Sequence, residues 1–157
     1  MSKENKKIIK EATIATTEQI TRKYFCKKNG GHNISPHIKW NKIQGAKSYS
    51  LVMEDPLSIH GNTVHWFIPA IYDDKIIYGL NTYKTYGWFG PCPPENTGKH
   101  QYIFTLYSLD NIFDFNLKKQ INSSHHYEEL LNSNNIKILH KEIKVFDYDS
   151  NTKKIKE

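Results

Sequence analysis

The chain has 157 residues, with 22 Lys and Arg against 16 Asp and Glu, for a formal net charge of +6. A hydrophobic fraction of 38% and an aromatic fraction of 13% are enough for one domain with a real core and exclude a disordered chain. No apolar run approaches the roughly 20 residues of a membrane-spanning helix, and Met1-Ser2-Lys3-Glu4-Asn5-Lys6-Lys7 leads into no signal-type apolar stretch. The expected setting is therefore cytoplasmic, or a virion if the source is viral. The richness in Lys, Asn and Ile points to an AT-rich genome such as that of a virus or parasite.

Lysines gather at the two ends, at Lys3, Lys6, Lys7 and Lys10 and again at Lys153, Lys154 and Lys156. We read residues 1–7 and 150–157 as flexible, solvated basic tails around a single domain over 8–149. Arg22 is the only arginine. Because Arg does most of the forked recognition of phosphates and bases, nucleic acid is not the expected partner. The two cysteines, Cys26 and Cys92, are expected to remain thiols in a reducing compartment, with one disulfide between them as the open alternative.

In chain order, Ile8–Thr17 is rich in β-branched residues and reads as a first strand, and Ile20–Cys26 as a second short extended piece. Lys28-Asn29-Gly30-Gly31-His32-Asn33 is a turn. Ser35-Pro36 enforces extended backbone before a strand over His37–Trp40. A turn at Gln44–Lys47 precedes the β-rich Ser48–Met53, which stops at Glu54-Asp55-Pro56. Leu57–Asn62 is a loop. Val64–Ile71 is almost continuously apolar and predicts a buried strand, followed by a short one at Ile76–Gly79.

Residues 80–100 form a long loop dense in Gly and Pro. A loop of that length with little structure of its own is usually functional. It feeds a strand over residues 102–109. After an irregular stretch, Ser123 or Ser124 caps a helix that begins near His125 and runs towards about His140. Glu142–Tyr148 alternates as a last strand. The expected fold is mostly β, two packed antiparallel sheets with one C-terminal helix.

Four polar residues stand beside rigid elements. Asp55 ends a strand and is locked by Pro56. His65 lies within an apolar strand. His100 and Tyr102 share one face, since positions i and i+2 of a strand point the same way. In Gly90-Pro91-Cys92-Pro93-Pro94 only Gly90 and Cys92 keep an N–H. Two backbone donors, two imidazoles and a phenol fit a small anion such as a phosphate group. Two other chemistries compete with this one. Cys92 with an imidazole and Asp55 has the cast of a thiol hydrolase acting on an ester. The eight histidines contain no tight pair of the kind that holds a metal, so neither metal nor cofactor is expected.

Taken together, Tyr24-Phe25-Cys26, Gly31–Trp40, Glu54-Asp55-Pro56, His65-Trp66, Gly90–Pro94, His100-x-Tyr102 and Phe104–Asp110 resemble the phosphatidylethanolamine-binding protein family. This family includes the Raf kinase inhibitor proteins, and the likeness is strongest to its compact bacterial and archaeal members. It spans about residues 20–148. The resemblance implies a central antiparallel sheet flanked by a smaller one and a surface pocket for phosphate-like anions. That pocket would be built from Asp55, His65, Gly90, His100 and Tyr102, with Pro93 and Pro94 as wall. It also implies phosphatidylethanolamine or another phosphate-bearing molecule as ligand, and a phosphoprotein, kinase or protease as partner in a regulatory role. A pure interaction protein with a degenerate pocket is the other non-enzymatic reading. The chain departs from the family at Asp55-Pro56-Leu57-Ser58-Ile59, where the usual pattern is Asp-Pro-Asp-Ala-Pro. It departs again at Thr63-Val64, in place of an aromatic, and at Ile136-Lys137, in place of Gly-His.

Overall fold

A computed structural model describes residues 15–16, 22–76, 88–116 and 120–151. Its strands, in chain order, are β1 (Ala15–Thr16), β2 (Ile38–Lys39), β3 (Ser48–Asp55), β4 (Thr63–Ile71), β5 (Lys75–Ile76), β6 (Lys99–Leu109) and β7 (Ile138–Asp149). Among the described residues, one α-helix, α1 (Ser124–Ser133), lies between β6 and β7. The larger sheet has the order β4-β3-β6-β7 and the smaller the order β1-β2-β5, and every pairing is antiparallel.

All eight residues of β3 are buried, which requires cover on both faces of the sheet. Alternation sends Leu51 and Met53 one way and Val52 the other. Leu51 and Met53 join Trp66, Ile68, Phe104 and Leu106 in a cluster that also takes Ile38 from the smaller sheet, so this core lies between the two sheets. Val52 joins Phe67, Tyr107 and Leu109 against Tyr127 and Leu131 of α1 on the opposite face.

The helix is fixed at both ends. The Ser123 hydroxyl accepts from the His126 N–H at 3.0 Å, and the Ser124 N–H reaches Glu54 Oε1 at 3.1 Å. A carboxylate is favourable there because the first turn leaves N–H groups unpaired and carries partial positive charge. The helix stops at Ser133 and does not continue towards His140, because Asn135 takes a left-handed φ of 58°. The Ile136 N–H turns back to the Leu131 carbonyl at 3.0 Å. The released chain enters β7 at Ile138, ahead of the expected strand start at Glu142.

Two further expectations are revised. The piece expected to be extended over Ile20–Cys26 contains a 3-10 turn at Arg22–Tyr24, with the Phe25 N–H on the Arg22 carbonyl at 3.0 Å. Tyr24 and Phe25 are neighbours and both 1% exposed. An edge strand would turn one of them outwards, whereas the tight turn buries both. Ser150, placed by sequence at the head of a tail, is buried and hydrogen-bonded to Gly98. The predicted N-terminal strand outside Ala15–Thr16, Ile77–Gly79, residues 80–87 of the long loop and both lysine clusters lie outside the described residues. Among the described residues, no helix is long and apolar enough to cross a membrane.

The register of β3 with β4 sets the direction of one polar side chain. Met53 pairs with Trp66 and Glu54 with Val64, which leaves His65 as the extra residue of a bulge. A bulge locally breaks alternation and re-aims a side chain. Without it, His65 would share the helix-side face of Phe67.

The packing of α1 has a direct test. Leu131 is fully buried against the sheet, so Leu131→Ala is expected to lower unfolding free energy by about 2–5 kcal/mol. Urea denaturation followed by tryptophan fluorescence reads this loss.

Candidate anion-binding site

Asp55 is the last residue of β3, His65 lies near the start of β4, and His100 and Tyr102 lie near the start of β6. In antiparallel neighbours these are the same end of the sheet: Asp55 faces Thr63 across one ladder, and Glu54 faces Ile103 across the other. The four side chains line one cavity of about 300 Å³. Lys28, Phe89, Cys92, Pro93, Pro94 and the loop residues Ser58, Ile59 and His60 complete its wall and mouth.

Asp55 is 2% exposed, and a carboxylate so buried needs partners. Its Oδ2 accepts from His100 Nδ1 at 2.8 Å, and its Oδ1 accepts from the Leu57 N–H at 2.8 Å. The other nitrogen of His100, Nε2, lies 2.8 Å from Thr97 Oγ1. Thr97 Oγ1 in turn donates to the Pro94 carbonyl at 2.7 Å and lies 3.1 Å from Ser150 Oγ. Both nitrogens of His100 are therefore engaged, and its ring stacks parallel to Tyr102 with centroids 6.4 Å apart.

His65 is arranged differently. Its Nδ1–H donates to the Phe89 carbonyl at 2.7 Å, and the ring stacks on Phe89 at 5.4 Å. The Nδ1 bond selects the tautomer and leaves Nε2 for a ligand. Burial pushes the His65 pKa below its ordinary value, against opposing contributions from the Phe89 carbonyl and Asp55. At neutral pH the ring is thus uncharged, with Nε2 as an acceptor. Edge-on to His65 at 5.6 Å stands Tyr102, 1% exposed, whose hydroxyl has no hydrogen-bond partner in the protein. Burial, and secondarily the Asp55 charge, drive the Tyr102 pKa up, so the phenol keeps its proton as a donor.

The model of the phosphatidylethanolamine-binding protein family matches residues 10–148, which include every residue that lines the cavity. The chain belongs to that family. A UPF0098 protein of Aquifex aeolicus is 33% identical over 108 residues, covering 59% of this chain and 61% of its own length. A UPF0098 protein of Methanothermobacter thermautotrophicus is 34% identical over 113 residues, covering 61% of this chain and 72% of the relative. A putative lipoprotein, LppC, of Mycobacterium tuberculosis is 37% identical over 101 residues, covering 57% of this chain and 49% of the relative. The chain thus spans about half to three-fifths of the length of the first and last of these. Two crystal structures share the fold. E. coli YbcL superposes with a TM-score of 0.68 at 19% identity, over 88% of this chain and 98% of that one. The homologue CT736 of Chlamydia trachomatis does so with a TM-score of 0.64 at 24% identity, over 88% and 94%.

Within this member of the family, the residues singled out by sequence fall into two groups. Asp55, His65, Cys92, Pro93, Pro94, His100 and Tyr102 line the cavity. Gly90 does not. Its N–H is held by Asn33 Oδ1 at 2.7 Å, and a Cβ there would overlap the Tyr24 carbonyl oxygen. The glycine lets the loop pack against the Tyr24–Phe25 backbone and offers no donor to a ligand. Thr97 and Ser150, which steady His100, and Lys28 at the mouth were not singled out. Thr97 and Ser150 are ordinary turn residues in sequence, and only the fold brings Ser150 back beside residue 97.

Cys26 and Cys92 are joined in a disulfide with Cα atoms 5.3 Å apart, which revises the expectation of two free thiols. Local backbone pairing brings them together. The Cys26 N–H donates to the Pro91 carbonyl at 3.0 Å, and Asn29 Nδ2 donates to the Pro93 carbonyl at 2.8 Å. In this form Cys92 offers no thiolate nucleophile. The bond closes a separation of 66 residues, for which chain-entropy reasoning gives about 4 kcal/mol. Reduction, or Cys92→Ser, is expected to lower the thermal midpoint by a corresponding amount in calorimetry. The native circular dichroism spectrum should persist at low temperature, because the backbone pairing remains.

Proposed function

We propose that the cavity binds a small phosphate-bearing anion, either free or as the head of a phospholipid. The observation that carries this reading is the Tyr102 hydroxyl, a donor kept protonated and left without a partner inside the fold. A buried hydroxyl in that condition costs about 1–3 kcal/mol, a cost that a ligand oxygen would remove. The His65 ring stands edge-on to the Tyr102 ring and lines the same cavity, and Lys28 supplies positive charge at the mouth. Asp55 holds His100 in place and does not face the anion as a free charge. The family description, phosphatidylethanolamine-binding protein, supports a phosphodiester head group as the natural chemistry. Regulation of a kinase, protease or other phosphoprotein partner would follow from occupancy of the same cavity.

Hydrolysis has no comparable support. Asp55, His100 and Thr97 form a chain that resembles a relay to a hydroxyl nucleophile. However, the Thr97 hydroxyl is spent on the Pro94 carbonyl and Ser150 and does not line the cavity.

Binding is coupled to protonation. His65 is neutral at pH 7, and an anion is best held by its protonated form. The bound state therefore takes up a proton on His65, and affinity rises as the pH falls below the ordinary histidine range near ~6.5. Glycerophosphoethanolamine is a suitable probe, because its phosphodiester charge is constant over this range. Titration followed by NMR is expected to shift the His65 and Tyr102 ring signals. His65→Ala should abolish both the shift and the pH dependence. Tyr102→Phe removes an unpaired group, so it should leave thermal stability unchanged or slightly raised while weakening binding about tenfold. Unchanged affinity in both variants would overturn the reading.

A further inference from the structure

Among the described residues, β7 is the outermost strand of the larger sheet, and no further strand pairs with its outer edge. From His140 to Asp149 it keeps unbroken register with β6, and it contains neither proline nor glycine. An edge of that length presents a row of N–H and C=O groups to any other strand, and folds normally blunt it with a bulge, a proline or a projecting charge. The cations on this stretch are drawn aside. Lys141 Nζ reaches both carboxylate oxygens of Glu128 at 3.1 Å, and Lys144 Nζ lies over the Phe146 ring, 5.6 Å from its centroid. The face beside the edge is uncovered as well. α1 sits over Val52, Phe67 and Tyr107 of β3, β4 and β6, and beyond it the alternating residues Lys141, Ile143, Val145 and Asp147 of β7 are exposed. Ile143 and Val145 are 54% and 45% exposed and belong to neither core cluster. Half-buried Ile103, which pairs with Val145, extends this apolar strip onto β6.

We infer that β7 is a self-association edge. Two copies pair β7 against β7, antiparallel about a two-fold axis through Lys144, and join two four-stranded larger sheets into one continuous sheet. The order of side chains selects a second copy as the partner. Ile143 and Val145 lie one residue either side of Lys144, and Lys141 and Asp147 lie three residues either side. About that axis Ile143 falls opposite Val145 of the second copy, and Lys141 falls opposite its Asp147. Each apolar and each charged residue of the exposed face therefore meets its complement, and does so twice. An ammonium has three donors, so Lys141 keeps one for Asp147 after its two bonds to Glu128. On the other face, Glu142 lies diagonal to Lys144 of the second copy and offsets the approach of the two lysines at the axis. A slip of two residues either way destroys the match, because it sets Lys141 opposite Val145 or Ile143 opposite Asp147. His100 pairs with Tyr148, so the cavity lies at the Tyr148 end of β7. In the antiparallel pair the two cavities thus sit at opposite ends of the joined sheet, and the pairing stands apart from what they bind.

Sedimentation velocity of the purified chain over about 1–200 μM tests this, with amide hydrogen exchange along β7 as a second readout. The wild-type chain is expected to pass from monomer to dimer as concentration rises, with exchange over Lys141–Asp147 slowing in step. Lys141→Asp places like charges opposite each other at two positions and should raise the dimer dissociation constant about tenfold or more. Adding Asp147→Lys reverses both charges and should bring the constant back to within about threefold of wild type. Loss of the Lys141–Glu128 contact by itself would give no such rescue. Ile143→Ser should weaken the dimer about tenfold while leaving the monomer folded, since this side chain belongs to neither core cluster. A chain that stays monomeric throughout would overturn the self-association edge and leave β7 to a strand of another protein. A dimer that Lys141→Asp does not weaken, a charge-reversed double variant that stays dissociated, or a dimer without slowed exchange on β7 would overturn it too.

Discussion

The site depends on satisfying one buried carboxylate at the end of a fully buried strand. Asp55 is cut off from water, and its two oxygens are satisfied by one imidazole and one backbone N–H. Each partner has a second consequence. The imidazole is His100, whose far nitrogen draws in Thr97 and, through it, Ser150 just past the end of β7. The N–H is that of Leu57, which sets the first turn of the loop at the cavity mouth. A single desolvated charge thus organises the floor and one rim, because removing either partner would leave it uncompensated in a medium of low dielectric.

The opposite wall is built by a clasp between two loops. Trp88 Nε1 donates to the Tyr24 carbonyl at 3.0 Å, Gly90 to Asn33, Cys26 to Pro91 and Asn29 to Pro93, and the disulfide closes the set. The prolines in 91–94 remove donors that would otherwise need satisfying in a partly buried loop. Their carbonyls remain, and the 24–33 segment supplies donors to two of them. The Phe89 carbonyl, held at the foot of this clasp, orients His65. The two imidazoles are therefore fixed by independent devices, one by a carboxylate and one by a loop carbonyl. Only the second keeps a nitrogen for a ligand.

The strands over Ser48–Met53, Val64–Ile71 and residues 102–109 were legible in sequence because each combines β-branched or aromatic runs with clear turn residues on its flanks, whereas the start of β6 at Lys99, inside the expected loop over 80–100, was not. Asp55, His65, His100 and Tyr102 were legible as polar residues beside rigid elements and as matches to the family pattern. The turn at Arg22–Tyr24 was not, because β-branched and aromatic content does not distinguish a strand from a tight turn that buries two adjacent rings. The end of α1 is invisible to the pattern because helical spacing of apolar residues carries no information about the left-handed backbone at Asn135. The role of Gly90 is equally hidden, because glycine permits close approach without saying what approaches, and here it is the Tyr24 backbone.

Fold class, family and the residue types at one end of the sheet are written in the amino-acid order alone, since periodicity and turn chemistry are local and those residues sit in short, recognisable contexts. How each of them is held was settled only when the chain folded. The bulge that turns His65 to the site is a matter of register between two strands. The occupation of both His100 nitrogens depends on Ser150, 53 residues from Thr97 in sequence. The disulfide depends on two loops meeting. None of these is a property of a window of sequence, because each is set by which backbone groups remain unpaired after the strands have come together.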